Sequence, residues 1–245
     1  MDKLKVKAVI FDLGCTLIEY EAYSWDELAK DAIRNGHQML TKGGVAVPDY
    51  ETFYETYAAV RDQFRQQAAE TFQEWSIPRA VRLVFDRLSV KYDNDLVDRF
   101  FDAYYKPVAE ALFLYDDVPD GLDYVREHFP VVGLISNTIF PERTHRTEMK
   151  RFGIEHYFDF EIFSSTFGVR KPHKDIFYQA VNFAGYAPAE CVYIGDRYPE
   201  DILGPTSIGM AAILRHKDGR DYPEKRPEAF AEIRTLAELP EILQK

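Results

Sequence analysis

Short apolar runs rich in β-branched residues alternate along much of this chain with stretches whose apolar positions recur every three or four residues. Residues 5–13, KVKAVIFDL, first alternate and then run apolar, the pattern of a strand entering a sheet covered on both faces. The runs at 131–136, 191–194 and 210–214 repeat it, and 158–163 is a weaker instance. Helical spacing marks 119–128, 141–152, 173–184 and 199–208. Strand and helix in alternation predict an α/β fold built on a doubly wound parallel sheet.

The interval 18–109 reads differently. It holds no convincing strand, while Phe53, Tyr57, Val60 and Phe64 fall four, three and four apart on one helical face. Such an aromatic stripe is the core of a helical bundle far more often than a cofactor box, and Trp25 and Trp75 read as packing residues in it. The expected organisation is a core domain of 1–17 with 110–245, interrupted by a helical domain at 18–109. Val118-Pro119-Asp120-Gly121 returns the chain to the sheet by turn chemistry.

Composition narrows the function classes. With 30 Lys and Arg against 41 Asp and Glu the formal charge is −11, so the average field opposes polyanions and nucleic acid is not an expected partner. Cys15 and Cys191 are the two cysteines, too few for a disulfide framework or a CxxC knuckle. The apolar run after Lys3, Lys5 and Lys7 is cut by Asp12, too short for a signal segment, and no apolar stretch suits a bilayer. A cytoplasmic protein with no membrane partner is the expectation. The six histidines lack HxxxH or HExxH spacing, and P-loop and GxGxxG motifs are absent.

In an open parallel sheet, ligands bind beyond the carboxyl ends of the strands. Asp12-Leu13-Gly14-Cys15-Thr16 follows the first strand, Ser136-Asn137-Thr138 ends the second, and Gly195-Asp196 ends another with Asp201 five positions on. Gly168-Val169-Arg170-Lys171-Pro172 precedes a helix at the same edge. Singly, each has a bland reading as a cap, loop hydrogen bond or surface charge. Their convergence on one rim is what makes them candidates. Three carboxylates about 4–6 Å apart repel by ~1–4 kcal/mol per pair, which a divalent cation relieves.

These motifs, FDLGCTL at 11–17, LISN at 134–137, GVRKPHKDIF at 168–177 and GDRYPED at 195–201, resemble those of the haloacid dehalogenase-like hydrolase superfamily. Their order, with a helical insertion after the first, resembles the subfamily that carries an α-helical cap on a Rossmann-like core. The resemblance implies that Asp12 is a nucleophile forming an aspartyl-phosphate, that Thr16, Ser136 and Asn137 cradle the phosphoryl group, and that Lys171 neutralises it. It implies Mg²⁺ on Asp12, Asp196, the backbone carbonyl of Gly14 and, through water, Asp201. The implied substrate is a small phosphorylated metabolite.

One position departs from the pattern. Phosphatases of this superfamily carry a second aspartate two residues after the nucleophile, where this chain has Gly14. General acid–base catalysis is commonly worth about 10²–10⁴ in rate, so poor leaving groups should suffer most. Glu19, Tyr20, Glu21 and Tyr23 follow the loop and are candidates for a replacement, though each also reads as a surface or packing residue. Two alternatives stand beside the Mg²⁺-dependent phosphohydrolase: a metal-independent 2-haloacid dehalogenase, and a catalytically decayed binding or regulatory protein on the same scaffold. Asp196 with Asp201 favours the phosphohydrolase, because without a cation the pair would repel a haloacid's carboxylate.

Overall fold

The structure, a computed structural model, describes residues 4–22 and 25–244, the side chains of 25–27 excepted. Six parallel strands form the central sheet in the spatial order Phe160–Phe163, Val131–Ser136, Ala8–Phe11, Cys191–Gly195, Ala211–Arg215 and Ala231–Ile233. The doubly wound α/β architecture is as expected. Ala8–Phe11 lies at the centre and is wholly buried, which explains its lack of polar alternation.

Side chains leave this sheet on alternate faces. Val9, Phe11, Val132, Leu134, Val192 and Ile194 join one apolar cluster, whereas Ala8, Ile10, Ile135, Cys191 and Tyr193 join another. Val118–His128 contributes Val118, Leu122 and Val125 to the first, and Lys174–Ala184 covers the second with Ile176, Phe177, Ala180 and Val181. Pairing Phe11 with Leu134 on one side and Ile194 on the other brings the ends of three strands to one margin, where Asp12, Ile135-Ser136 and Gly195-Asp196 emerge.

Three details differ from the sequence reading. The edge strand Ala231–Ile233 is too short to announce itself by periodicity. The helix expected over 199–208 is instead a π-helical segment, Tyr198–Leu203, followed by the short helix Gly204–Thr206. Pro205 has no N–H to give and its ring crowds the carbonyl four residues back, so a regular helix cannot run through. Finally, the interval 18–109 is not free of strand: Ile18–Glu19 pairs antiparallel with Phe113–Leu114, two residues a side.

Between those two short strands stand the helices Trp25–Lys42, Tyr50–Thr71, Ile77–Arg87 and Asn94–Ala111. Asp49, Ser76 and Asp93 cap the last three by accepting from the backbone N–H three residues on. Phe53, Tyr57, Val60 and Phe64 are all buried, and Phe64 stacks on the buried Trp75 at 5.6 Å. Trp25 falls among the undescribed side chains. The loop after Tyr50–Thr71 docks on the sheet margin through backbone bonds from Arg170 N–H to Phe72 O at 2.9 Å, Glu74 N–H to Gly168 O at 2.9 Å and Ile77 N–H to Ile139 O at 2.9 Å.

Candidate active site

Asp12 leaves the central strand with its N–H donating to Ile194 O at 2.8 Å, which fixes where its side chain starts. The chain then doubles back, with Cys15 in the left-handed region at φ 62° and the N–H groups of Leu17 and Ile18 both returning to Leu13 O at 2.9 and 3.0 Å. That turn swings Thr16 round so that its hydroxyl donates to Asp12 Oδ2 at 2.9 Å. Buried Arg215 clamps the loop from below, donating to Thr16 O at 2.7 Å and to Asp117 Oδ1 at 2.8 Å.

Lys171 is 2% exposed, and its ammonium donates to Asp12 Oδ1 at 2.7 Å, Asp201 Oδ1 at 2.6 Å and the Tyr193 hydroxyl at 2.7 Å. Burial works to lower the Lys171 pKa, but the charges of Asp12 and Asp201 outweigh it and hold the ammonium form. The Tyr193 hydroxyl in turn donates to Ile135 O at 3.1 Å. Asn137 does not point its amide at the cavity alone: it accepts from Lys171 N–H at 2.8 Å and donates to Lys171 O at 3.0 Å. It therefore fastens the lysine's backbone to the second strand end. Ser136 is buried and lines the cavity beside it.

Asp196 is fully buried after Cys191–Gly195. Its Oδ2 lies 2.6 Å from an Arg220 Nη, yet among the described residues neither of its carboxylate oxygens sits in hydrogen-bond geometry. Burial, with Asp12 and Asp201 nearby, pushes its pKa up to about 8. Asp12 is raised too, first by burial, with Asp201 adding to it and Lys171 opposing. Asp201 accepts from Arg197 N–H at 2.8 Å and from Lys171. Three carboxylates thus face two cations, Lys171 on Asp12 and Asp201 and Arg220 on Asp196.

A divalent cation fits this arrangement. One carboxylate oxygen from each of Asp12, Asp196 and Asp201 lies within 4.8 Å of the others, and the unsatisfied oxygens of Asp196 are the kind of buried acceptor a hard ion satisfies. Asp201 is the least available of the three, since both its oxygens already accept hydrogen bonds.

A cavity of about 270 Å³ opens over Asp12, lined by Gly14, Tyr20, Ser136, Thr138, His145 and Lys171, with Arg65 and Glu74 contributed by the helical segment. Glu74 is buried, accepts from the Ser164 hydroxyl at 2.8 Å, and lies 3.6 Å from Arg170. Of the four replacement-acid candidates, Glu19 is engaged by Lys217 at 2.5 Å and Tyr115 at 2.6 Å, and Glu21 by Arg197 at 2.7 Å and Arg220 at 3.0 Å. Tyr23 lies outside the described residues. Tyr20 turns inward.

Sequence reasoning missed the group that Tyr20 meets. Its hydroxyl donates to Glu148 and stands 3.1 Å from His145 Nδ1. His145 Nδ1 is 2.8 Å from Glu148 Oε2, its Nε2 is 2.6 Å from Thr138 Oγ1, and Tyr105 donates to Glu148 from the other side. Burial pushes Glu148 up to about 8 and His145 down to about 3, so the histidine is neutral. The only signal in the sequence was a His and a Glu three apart on a helix otherwise rich in surface charge.

A family model described as haloacid dehalogenase-like hydrolase matches residues 6–209. The glyceraldehyde 3-phosphate phosphatase of Methanopyrus kandleri is 28% identical over 222 residues, 91% of this chain and 88% of that protein. The protein of the same name from Methanothermobacter thermautotrophicus is 28% identical over 243 residues, 97% of this chain and 100% of its own length. Among solved structures, a 2-haloacid dehalogenase from Pseudomonas syringae superposes with TM-score 0.71 at 24% identity, covering 96% of this chain and 97% of that one. A HAD phosphatase from Thermococcus onnurineus gives 0.62 at 24%, with the same coverage. These two structural likenesses speak to the fold.

Proposed function

Since the chain belongs to the haloacid dehalogenase-like hydrolase family, we propose that it removes the phosphoryl group from a small phosphorylated metabolite through an aspartyl-phosphate on Asp12. The observation that carries this reading is the buried set of Asp12, Asp196 and Asp201, three carboxylates set against Lys171 and Arg220, in which Asp196 has an ion pair but no hydrogen bond among the described residues. A phosphoryl oxyanion and a hard cation are what such a set accommodates together.

Asp12 attacks phosphorus, held at the required angle by the Thr16 hydroxyl and the Lys171 ammonium. Lys171 lies beside the charge that grows on the phosphoryl oxygens, and Asn137 keeps it there through its backbone. Ser136 lines the same wall. Asp12, Asp196 and the Gly14 carbonyl, with Asp201 behind them, would hold Mg²⁺, which when bound supplies further neutralisation of the phosphoryl oxygens. The helical residues 18–109 act as the cap, contributing Arg65 and Glu74 to the wall that meets the leaving group.

The dehalogenase alternative fares worse here, because the clustered carboxylates of Asp12, Asp196 and Asp201 would repel a haloacid's carboxylate unless a cation lay among them. A screen of phosphorylated metabolites with Mg²⁺, including glyceraldehyde 3-phosphate, tests the reading. Phosphate release that a chelator abolishes supports it. Inertness towards every phosphate ester, or halide release from a 2-haloacid in chelator, overturns it.

A further inference from the structure

We propose that Tyr20 is the proton donor that stands in for the side chain Gly14 lacks, and that Glu148 is the buried reservoir from which Tyr20 is recharged. The proposal rests on the phosphatase reading and assigns to it a residue pair outside the family motifs.

Three observations carry it. A first side-chain carbon built on Gly14 would stand 3.4 Å from Tyr20 Cδ2, so the tyrosine ring lies against the space where an acid two residues after Asp12 would project. Tyr20 also lines the cavity over Asp12, while Glu148 does not; Tyr20 and His145 are the two cavity-lining residues bonded to the buried carboxyl, and of these Tyr20 carries the ring that lies against Gly14. And Glu148 is held on both oxygens, by Tyr20 and His145 on one and Tyr105 on the other, with no Lys or Arg bonded to it among the described residues. A carboxyl buried this way stays protonated near neutrality and can give its proton up through a hydrogen bond.

The proton count closes. As an oxygen of Asp12 bonds to phosphorus and the bond from phosphorus to the ester oxygen breaks, the Tyr20 hydroxyl turns from Glu148 and gives its proton to the departing oxygen, and the Glu148 proton moves onto the Tyr20 oxygen, reversing the hydrogen bond between them. Water then attacks the aspartyl-phosphate, releasing Asp12 and inorganic phosphate, and its proton returns through Tyr20 to Glu148. His145 is neutral and holds the carboxyl in place, with Thr138 fixing its other nitrogen. The groups facing Glu148 are Tyr20 from the loop, Tyr105 from Asn94–Ala111, and His145 and Arg151 from its own helix.

The test compares kcat/KM for glyceraldehyde 3-phosphate, an alkyl ester, with that for p-nitrophenyl phosphate, whose leaving group needs no proton. In Tyr20→Phe the alkyl-to-aryl ratio should fall by about 10²–10³. Tyr105→Phe, which strips Glu148 of a hydrogen bond on the side away from the active-site cavity, should change the ratio several-fold less. In the parent enzyme the alkyl reaction should lose rate as pH rises past about 8, and Glu148→Gln should abolish that limb. Equal losses in Tyr20→Phe and Tyr105→Phe, an unchanged ratio, or a limb that survives in Glu148→Gln would overturn the assignment. So would a parent enzyme that cleaves the aryl ester and no alkyl ester. If the parent cleaves neither with Mg²⁺ present, it is the phosphatase reading that fails.

Discussion

Asp201 folds back so closely on Gly195 that a first side-chain carbon there would stand 2.5 Å from the Asp201 carboxyl carbon. Only a glycine leaves room for the acid to turn under the strand end and reach Lys171. Gly195→Ala should therefore push Asp201 out of place while leaving the strand intact. Activity should fall at least tenfold and Mg²⁺ should bind more weakly, as isothermal titration would record. Unaltered Mg²⁺ affinity would show that Asp201 plays no part in holding the ion.

Among the described residues, Lys171 is the one cation bonded to both Asp12 and Asp201. Replacing it by Met leaves two buried carboxylates facing each other, and removal of one partner from a buried charge network typically costs about 3–5 kcal/mol. Denaturant unfolding of Lys171→Met in chelator should show a loss of that order. Asp201→Asn in the same background should recover part of it. A loss below about 1 kcal/mol would mean the ion pairs are solvent-screened.

Glu148 gives a stability signature independent of activity. Its folded value of about 8 lies above its ordinary 4.5, so the folded protein binds a proton that the unfolded chain has released between those limits. The stability this group contributes is complete below 4.5 and is lost as pH climbs towards 8. Thermal melts in chelator should show Glu148→Gln gaining on the parent protein across that window. Parallel curves would place the carboxyl in a far more polar setting.

Gly14→Asp restores the acid that the motif lacks, and its first carbon meets Tyr20 at an ordinary contact distance of 3.4 Å. It should raise alkyl phosphate turnover more in a Tyr20→Phe background than in the parent. The same gain in both would show that Tyr20 does not fill the missing role.

The sheet and the positions of its acids were legible because each buried strand runs apolar to its end and then stops on a polar cluster: Phe11 gives way to Asp12, and Gly195 to Asp196. The stripe at Phe53, Tyr57, Val60 and Phe64 declared its helix for the same reason, since burial enforces period. What escaped was either too short to have a period, as with Ile18–Glu19 and Ala231–Ile233, or brought together across the chain. Tyr20, Tyr105 and Glu148 lie 43 and 128 positions apart in their pairings, and no local pattern encodes such a meeting. Asn137 lines the cavity, and its hold on the Lys171 backbone has no local signature because it depends on two loops touching.

The most direct test of the central claim is a rapid-quench single turnover with Mg²⁺ and p-nitrophenyl phosphate, followed by mass spectrometry of the peptide containing Asp12. A transient phosphoryl adduct on Asp12, absent from Asp12→Asn and from chelator-treated enzyme, is the expected result. Release of phosphate at full rate with no adduct on that residue, or from Asp12→Asn, would contradict it.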